Sequence, residues 1–72
     1  MTYNYNRLRG KIAEICGTKS EFAKRLGIAS ATLYAKLHNQ TDFTQSEICK
    51  SCEILGIDFT DVPRYFFTYD VA

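Results

Sequence analysis

The sequence has no tryptophan, one proline and only four glycines in 72 residues. So few chain breakers argue against a loop-rich scaffold. No apolar run approaches the roughly 20 residues that cross a bilayer as a helix. The opening stretch, Met1-Thr2-Tyr3-Asn4-Tyr5-Asn6-Arg7, has no apolar segment of the secretory kind. These absences point to a soluble, cytoplasmic protein with no membrane contact. Cysteine is scarce and odd in number: Cys16, Cys49 and Cys52. Without a secretory context they read as reduced thiols. The length suits one small domain over residues 1–72 and is too short for a multi-domain enzyme. A chain of this size buries only about 60% of its unfolded surface, so its core must be economical.

What is present is ordinary for a globular chain. Hydrophobic residues at 46% and charged residues at 24% exclude a disordered or collagen-like protein. The net charge of +1 hides an asymmetry. Residues 1–38 hold seven Lys and Arg against two Asp and Glu, whereas residues 39–72 hold two against six. A basic first half suggests an anionic partner on one side.

The apolar spacing is helical almost throughout, without repeats or linkers. Leu8, Ile12 and Ile15, with Cys16, recur at steps of three and four and mark a first helix. Asn4 or Asn6 can cap its start, and Gly17 its end. Thr18 and Glu21 have the spacing of a capping box for a second helix with Phe22, Ala23 and Leu26 inside. Gly27 ends that helix. Ser30 is expected to cap a third, with Leu33 and Leu37 on its inner face. Phe43 anchors a polar connection. Thr44 and Glu47 repeat the capping-box spacing ahead of a fourth helix with Ile48, Cys52 and Leu55 inside, stopped by Gly56. A short fifth helix fits Asp61 to Phe66, with Thr60 as cap and Pro63 tolerated in its first turn. The tail, residues 67–72, alternates in polarity and could be extended.

The stretch from Lys19 to His38 meets the requirements of a helix-turn-helix over about residues 18–38. Ala23 is small where two helices would cross. Gly27 stands where the turn needs positive φ. Ile28 and Leu33 are apolar where the second helix would pack back on the first. Lys19, Lys24 and Arg25 suit phosphate contact, with Arg7 and Lys11 as further candidates. The competing reading is an ordinary helical hairpin.

Other motifs yield little. Cys49-x-x-Cys52 falls in mid-helix, and only Cys16 and His38 remain to complete a zinc site, so no metal or other cofactor is expected. His38 has no nucleophile or base partner placed by local sequence and more plausibly caps the third helix. No catalytic residue and no enzyme activity are expected. Four aromatics crowd the end: Tyr65, Phe66, Phe67 and Tyr69. Phe66 is expected to close the core. The others either lie flat on the surface or form a self-association or partner surface.

Residues 6–66 resemble the small phage Cro/repressor-type helix-turn-helix proteins. The resemblance is carried by Phe22 to Ile28, Thr32 to Asn39, Phe43-Thr44, Glu47-Ile48 and Leu55-Gly56-Ile57. The ending Pro63-Arg64-Tyr65-Phe66-Phe67 is similar to a compact subgroup from temperate phages of Gram-positive hosts, and within that subgroup the likeness runs over the whole chain. The resemblance implies an all-α, five-helix, lambda repressor-like fold and a role in the lysis–lysogeny switch. The subgroup further implies a complex with the phage CI-type repressor, through its DNA-binding domain. By the same resemblance the third helix is the recognition helix, exposing Ala29, Ser30, Ala31, Tyr34, Ala35 and His38, with Lys36 beside them. Thr18, Lys19 and Ser20 would meet a phosphate at the second helix's N-terminus.

The sequence departs from a strong DNA reader at that helix. Base readout favours Arg or Lys on guanine and Asn or Gln on adenine. Three of the six expected base-facing positions are alanine, which can touch only a thymine methyl. The resulting expectation is an antirepressor-type regulator acting at least partly through the CI-type repressor. The alternatives are an autonomous dimeric repressor on operator DNA, and an interaction domain without a DNA role.

Overall fold

The computed structural model describes residues 2–70. Five α-helices follow one another: α1 Asn6–Cys16, α2 Lys19–Leu26, α3 Ser30–Leu37, α4 Gln45–Leu55 and α5 Val62–Phe66. A 3-10 turn, Phe59–Asp61, leads into α5. The all-α, five-helix architecture expected from the spacing is the one observed. Among the described residues there is no strand, only a lone antiparallel bridge between Tyr3 and Tyr69. It brings both ends of the described chain together, since the Asn4 N–H donates to the Thr68 carbonyl (2.6 Å) and the Asp70 N–H to the Thr2 carbonyl (2.9 Å).

The core is drawn from every helix. Leu8 and Ile12 of α1, Phe22 of α2, Leu33 and Leu37 of α3, Leu55 of α4 and Phe66 of α5 are all fully buried. Each such side chain contributes roughly 1.5–3 kcal/mol relative to leaving it exposed. Ile15 departs from the expected stripe and stays 41% exposed, while Cys16 in the same turn packs half-buried against the core. Tyr5 is buried and meets Phe43 edge-on at 5.5 Å; Phe43 in turn meets Phe66 edge-on at 5.2 Å. Ser51 is fully enclosed in α4, its hydroxyl donating to the Glu47 carbonyl at 2.6 Å.

The helix boundaries confirm some caps and move others. The Thr44–Glu47 capping box closes in both directions. Thr18 accepts from the Glu21 N–H at 3.1 Å, but the return bond is missing because the Glu21 carboxylate turns to Arg25 instead. Ser30 is not a cap: Ala29 holds that position in an extended conformation and offers no side-chain bond, so Ser30 is the first residue inside α3. Thr60 is not the cap before α5 either. Asp58 accepts from both the N–H and the hydroxyl of Thr60, starting the 3-10 turn two residues early. Neither Asn4 nor Asn6 caps α1: Tyr5 holds that position without a side-chain bond, and Asn4 accepts from the Asn6 N–H at 2.9 Å one residue ahead of it.

Candidate macromolecular interface

Helices α2 and α3 are joined by Gly27-Ile28-Ala29. Gly27 is left-handed (φ 83°), and its N–H and that of Ile28 both return to the Ala23 carbonyl, at 2.9 and 3.0 Å. A Cβ at Gly27 would stand in a conformation that costs an L-residue about 1–2 kcal/mol. It would also meet the Lys50 ammonium at 3.7 Å. Ala23 is buried, and Ile28 packs half-buried against the core. This sharp turn leaves the outer side of α3 uncovered.

That outer side carries Ala29, Ser30, Ala31, Tyr34 and His38, all exposed, with Ala35 half-buried. Tyr34 is 56% exposed and stacks on His38, ring centroids 3.9 Å apart with planes 24° from parallel. The His38 Nδ1 lies 2.9 Å from the Tyr34 carbonyl, so the imidazole covers the last turn of α3. The two rings form one flat platform at the helix's C-terminal end. Nothing cationic lies among these outward α3 residues.

Lys36 is the main correction to the expected site. It is only 6% exposed and points inward with Leu33 and Leu37. The steps from 33 to 36 and 37 explain this, since they lie on one helical face. Its ammonium pairs with the Glu47 carboxylate at 2.9 Å and donates to the Asp42 carbonyl at 2.8 Å. The residue ties α3 to α4 and cannot reach a partner. Glu47 is held below the ordinary carboxylate range. Burial pushes it up, but the Thr44 N–H and the Lys36 ammonium outweigh that and favour the charged form.

The remaining basic residues divide into tied and untied ones. Arg25 is bound to Glu21 at 2.8 Å, one turn earlier, which raises its pKa further. Lys11 is likewise paired with Glu14 at 3.1 Å. Lys19 and Lys24 are exposed and make no ion pair with the described residues, and Thr18 and Ser20 are exposed beside Lys19 at the start of α2. Arg7 is exposed on α1.

Arg9, Asn39 and Asp42 were not foreseen as contributors. Arg9 reaches across from α1 to donate to the Leu37 carbonyl at 2.7 Å, a cation at the end of α3 where the helix dipole favours one. Asn39, left-handed at φ 62°, clasps Tyr3 in both directions: it accepts from the Tyr3 N–H at 2.8 Å and donates to the Tyr3 carbonyl at 3.0 Å. An Asn directly after a helix end is a signal for this conformation. Asp42 and Phe43 border an aromatic hollow with Tyr3, Tyr5, Phe66 and Phe67. Within the C-terminal aromatic group Phe66 is buried as expected, Tyr65 is half-buried, and Phe67 and Tyr69 are about half exposed. The last two tail residues, 71 and 72, lie outside the described residues.

Cys49 is exposed and Cys52 buried, its thiol pushed up by that burial. Among the described residues no group of three or more His, Cys, Asp or Glu could hold a metal ion, and no helix is long and apolar enough to cross a membrane.

The fold and its open α3 face define an all-α protein of five short helices built around a tight α2–α3 turn. Over residues 1–69 the chain matches the family model described as protein of unknown function (DUF739), and it belongs to that family. It is also similar to the modulator of repression (MOR) of the temperate bacteriophage TP901-1 from Lactococcus lactis. The two share 38% sequence identity and superpose with a TM-score of 0.83, over 100% of this chain and 97% of that one. No curated protein sequence matches the chain.

Proposed function

We propose that the chain is a phage regulator that modulates repression by forming a complex with a CI-type repressor. On this reading residues 18–38 act as a Cro-like helix-turn-helix within a single regulatory domain. The observation that carries the reading is the whole-chain likeness to MOR at 38% identity. The α3 face supports it. That face offers three alanines, a serine and a Tyr–His stack, and its only lysine is buried against Glu47. A bidentate base contact contributes roughly 1–3 kcal/mol of discrimination, and none of these side chains makes the Arg–guanine or Asn–adenine pair. An aromatic, partly apolar face suits a protein surface better.

The test is calorimetric titration of the protein into the DNA-binding domain of the cognate repressor. Micromolar or tighter binding is expected, and absence of binding at micromolar concentration overturns the proposal. Tyr34→Ala should weaken that binding at least tenfold while leaving the melting temperature within about 2 °C, since an exposed side chain contributes little to the fold. Adding the protein to repressor–operator DNA should release the DNA in a gel shift.

A second reading, autonomous operator binding as a dimer, draws on the untied Lys19 and Lys24 beside the open first turn of α2. It requires a shift of operator DNA by the protein alone, with steep salt dependence. Charge reversal at Lys19 and Lys24 should abolish that shift.

A further inference from the structure

The aromatic hollow beside Asp42 has a chemistry of its own. Its volume is about 190 Å³, and it is walled by Tyr3, Tyr5, Phe43, Phe66 and Phe67, with Asp42 as its acidic wall residue. The rings meet mostly edge-on: Tyr3 to Phe67 at 6.0 Å, Tyr5 to Phe43 at 5.5 Å and Phe43 to Phe66 at 5.2 Å. Tyr3 also stacks on Tyr69 at 5.1 Å, which fixes its ring from the outer side. The Asp42 side chain is exposed and makes no ion pair with the described residues, although its carbonyl is held by Lys36. Lys36 pairs with Glu47, so Lys36, Glu47 and Asp42 together leave one negative charge, although the Lys36 ammonium also lies 5.8 Å from the Phe43 ring centroid.

Ring faces carry negative potential, and a carboxylate at the same cavity adds to it. The Asp42 charge is felt there: burial and then Asp42 raise the pKa of Tyr5, and for Tyr3 Asp42 is the smallest contribution, after the Tyr69 hydrogen bond, the Tyr69 charge and burial. A cavity lined by five aromatic residues, Ile48 and one carboxylate favours a flat cation over an anionic group.

We infer that this hollow is a binding site for an arginine side chain presented by a protein partner, the guanidinium stacking among Tyr3, Phe43 and Phe67 and pairing with Asp42. A second, apolar hollow of about 310 Å³ adjoins it, sharing Ile48 and Phe67 and bordered by Phe59 and Val62. It receives the apolar side chain next to that arginine. The source of the arginine rests on the proposed function, because a protein that binds DNA phosphates must expose Arg and Lys on its contact surface. The site itself depends only on the hollow. Asn39 joins the two surfaces, for it follows the end of α3 and clasps Tyr3 on the wall of the hollow.

The probe is N-acetyl-arginine amide, with N-acetyl-citrulline amide as its neutral isostere, titrated against the full chain by two-dimensional NMR. Arginine should shift the resonances of Tyr3, Phe43 and Phe67 at millimolar concentration, with at least fivefold preference over citrulline. Asp42→Asn should remove the preference, and its side chain is exposed enough for the fold to survive. Equal response to the two probes, or shifts centred on Asp58 and Asp61 instead, overturns the site. Repressor binding separates this inference from the reading before it. If the parent and Asp42→Asn bind the repressor equally and arginine shows no preference, the hollow is discarded and the regulatory reading stands. If arginine prefers the hollow but the repressor does not bind, the hollow stands and the regulatory reading falls.

Discussion

Replacing Lys36 with methionine should destabilise the fold and leave partner binding intact. The side chains of Lys36 and Glu47 are 8% and 18% exposed, and their charges sit 2.9 Å apart. Removing one member of a buried pair costs roughly 3–5 kcal/mol, because the other charge is left without compensation. Glu47 keeps its bond from the Thr44 N–H at 2.8 Å and some contact with water, which lowers the loss. The Asp42 carbonyl also loses its donor. A loss of about 2–3 kcal/mol follows. A chain of this length is stable by roughly 4–11 kcal/mol, so the change takes a large share of the total. Urea unfolding followed by circular dichroism measures it, with Glu47→Gln and the double variant closing a cycle whose coupling should exceed about 1 kcal/mol. The pH profile gives a second check. Glu47 is lowered from its ordinary value of 4.5, so its contribution is present above that value and is lost as pH falls through the folded one. Lys36→Met removes part of the lowering and should flatten the acid limb. The reasoning is refuted if Lys36→Met unfolds within about 0.5 kcal/mol of the parent, the range of an ordinary surface change. It is equally refuted if the variant folds normally but loses the repressor, which would place Lys36 on the binding face.

Gly10→Ala should stabilise the protein by about 0.5–1 kcal/mol, because Gly10 is exposed in mid-α1 and a Cβ there meets nothing within 4 Å. A melting temperature raised by roughly 2–8 °C is the expected reading, and a fall would show that the site is crowded. Thr44→Ala should cost about 1 kcal/mol through the lost capping box, whereas Ser30→Ala should be neutral within about 0.5 kcal/mol, since Ser30 caps nothing. Equal losses for the two in thermal unfolding would contradict these cap assignments.

Helix identity was legible because the apolar spacing is regular and three glycines fall at helix ends. Gly17, Gly27 and Gly56 all take positive φ where the spacing stops. The caps were legible where the carboxylate stays with its cap, as Glu47 does even while it pairs with Lys36. Thr44 and Glu47 satisfy each other, while Glu21 is drawn off by Arg25, a competitor four residues on that a capping pattern ignores. Lys36 was misplaced because a charge was assumed to face water. The position lies with Leu33 and Leu37, and an inward lysine needs a carboxylate on another helix that local sequence does not reveal. The α3 face was visible as a row of small residues and one Tyr. The stacking of His38 on Tyr34 follows from their spacing of four residues and was not anticipated. The aromatic hollow was out of reach, since it joins positions 3, 43 and 67, which only the closed fold brings together.

That closure depends on Asn39 more than on the bridge it supports. Residues 2–4 are held on one side by two backbone bonds to the tail and on the other by the two Asn39 side-chain bonds to Tyr3. An isolated two-strand contact has little stability of its own, so the clasp must supply much of the order. Asn39→Ala removes both side-chain bonds, at about 0.5–1.5 kcal/mol each, and leaves at φ 62° a residue that tolerates that conformation less well than Asn. The two bonds together account for a loss of about 1–3 kcal/mol. Asn39→Asp keeps the acceptor for the Tyr3 N–H and loses only the donor, so it should cost about half as much. Hydrogen exchange distinguishes a local from a global effect. In Asn39→Ala the amides of Asn4 and Asp70 should exchange at least tenfold faster, beyond the acceleration seen at core amides such as Leu33. If those two amides change no more than Leu33, the terminal bridge holds itself, and Tyr3 is positioned by its stack on Tyr69 instead of by Asn39.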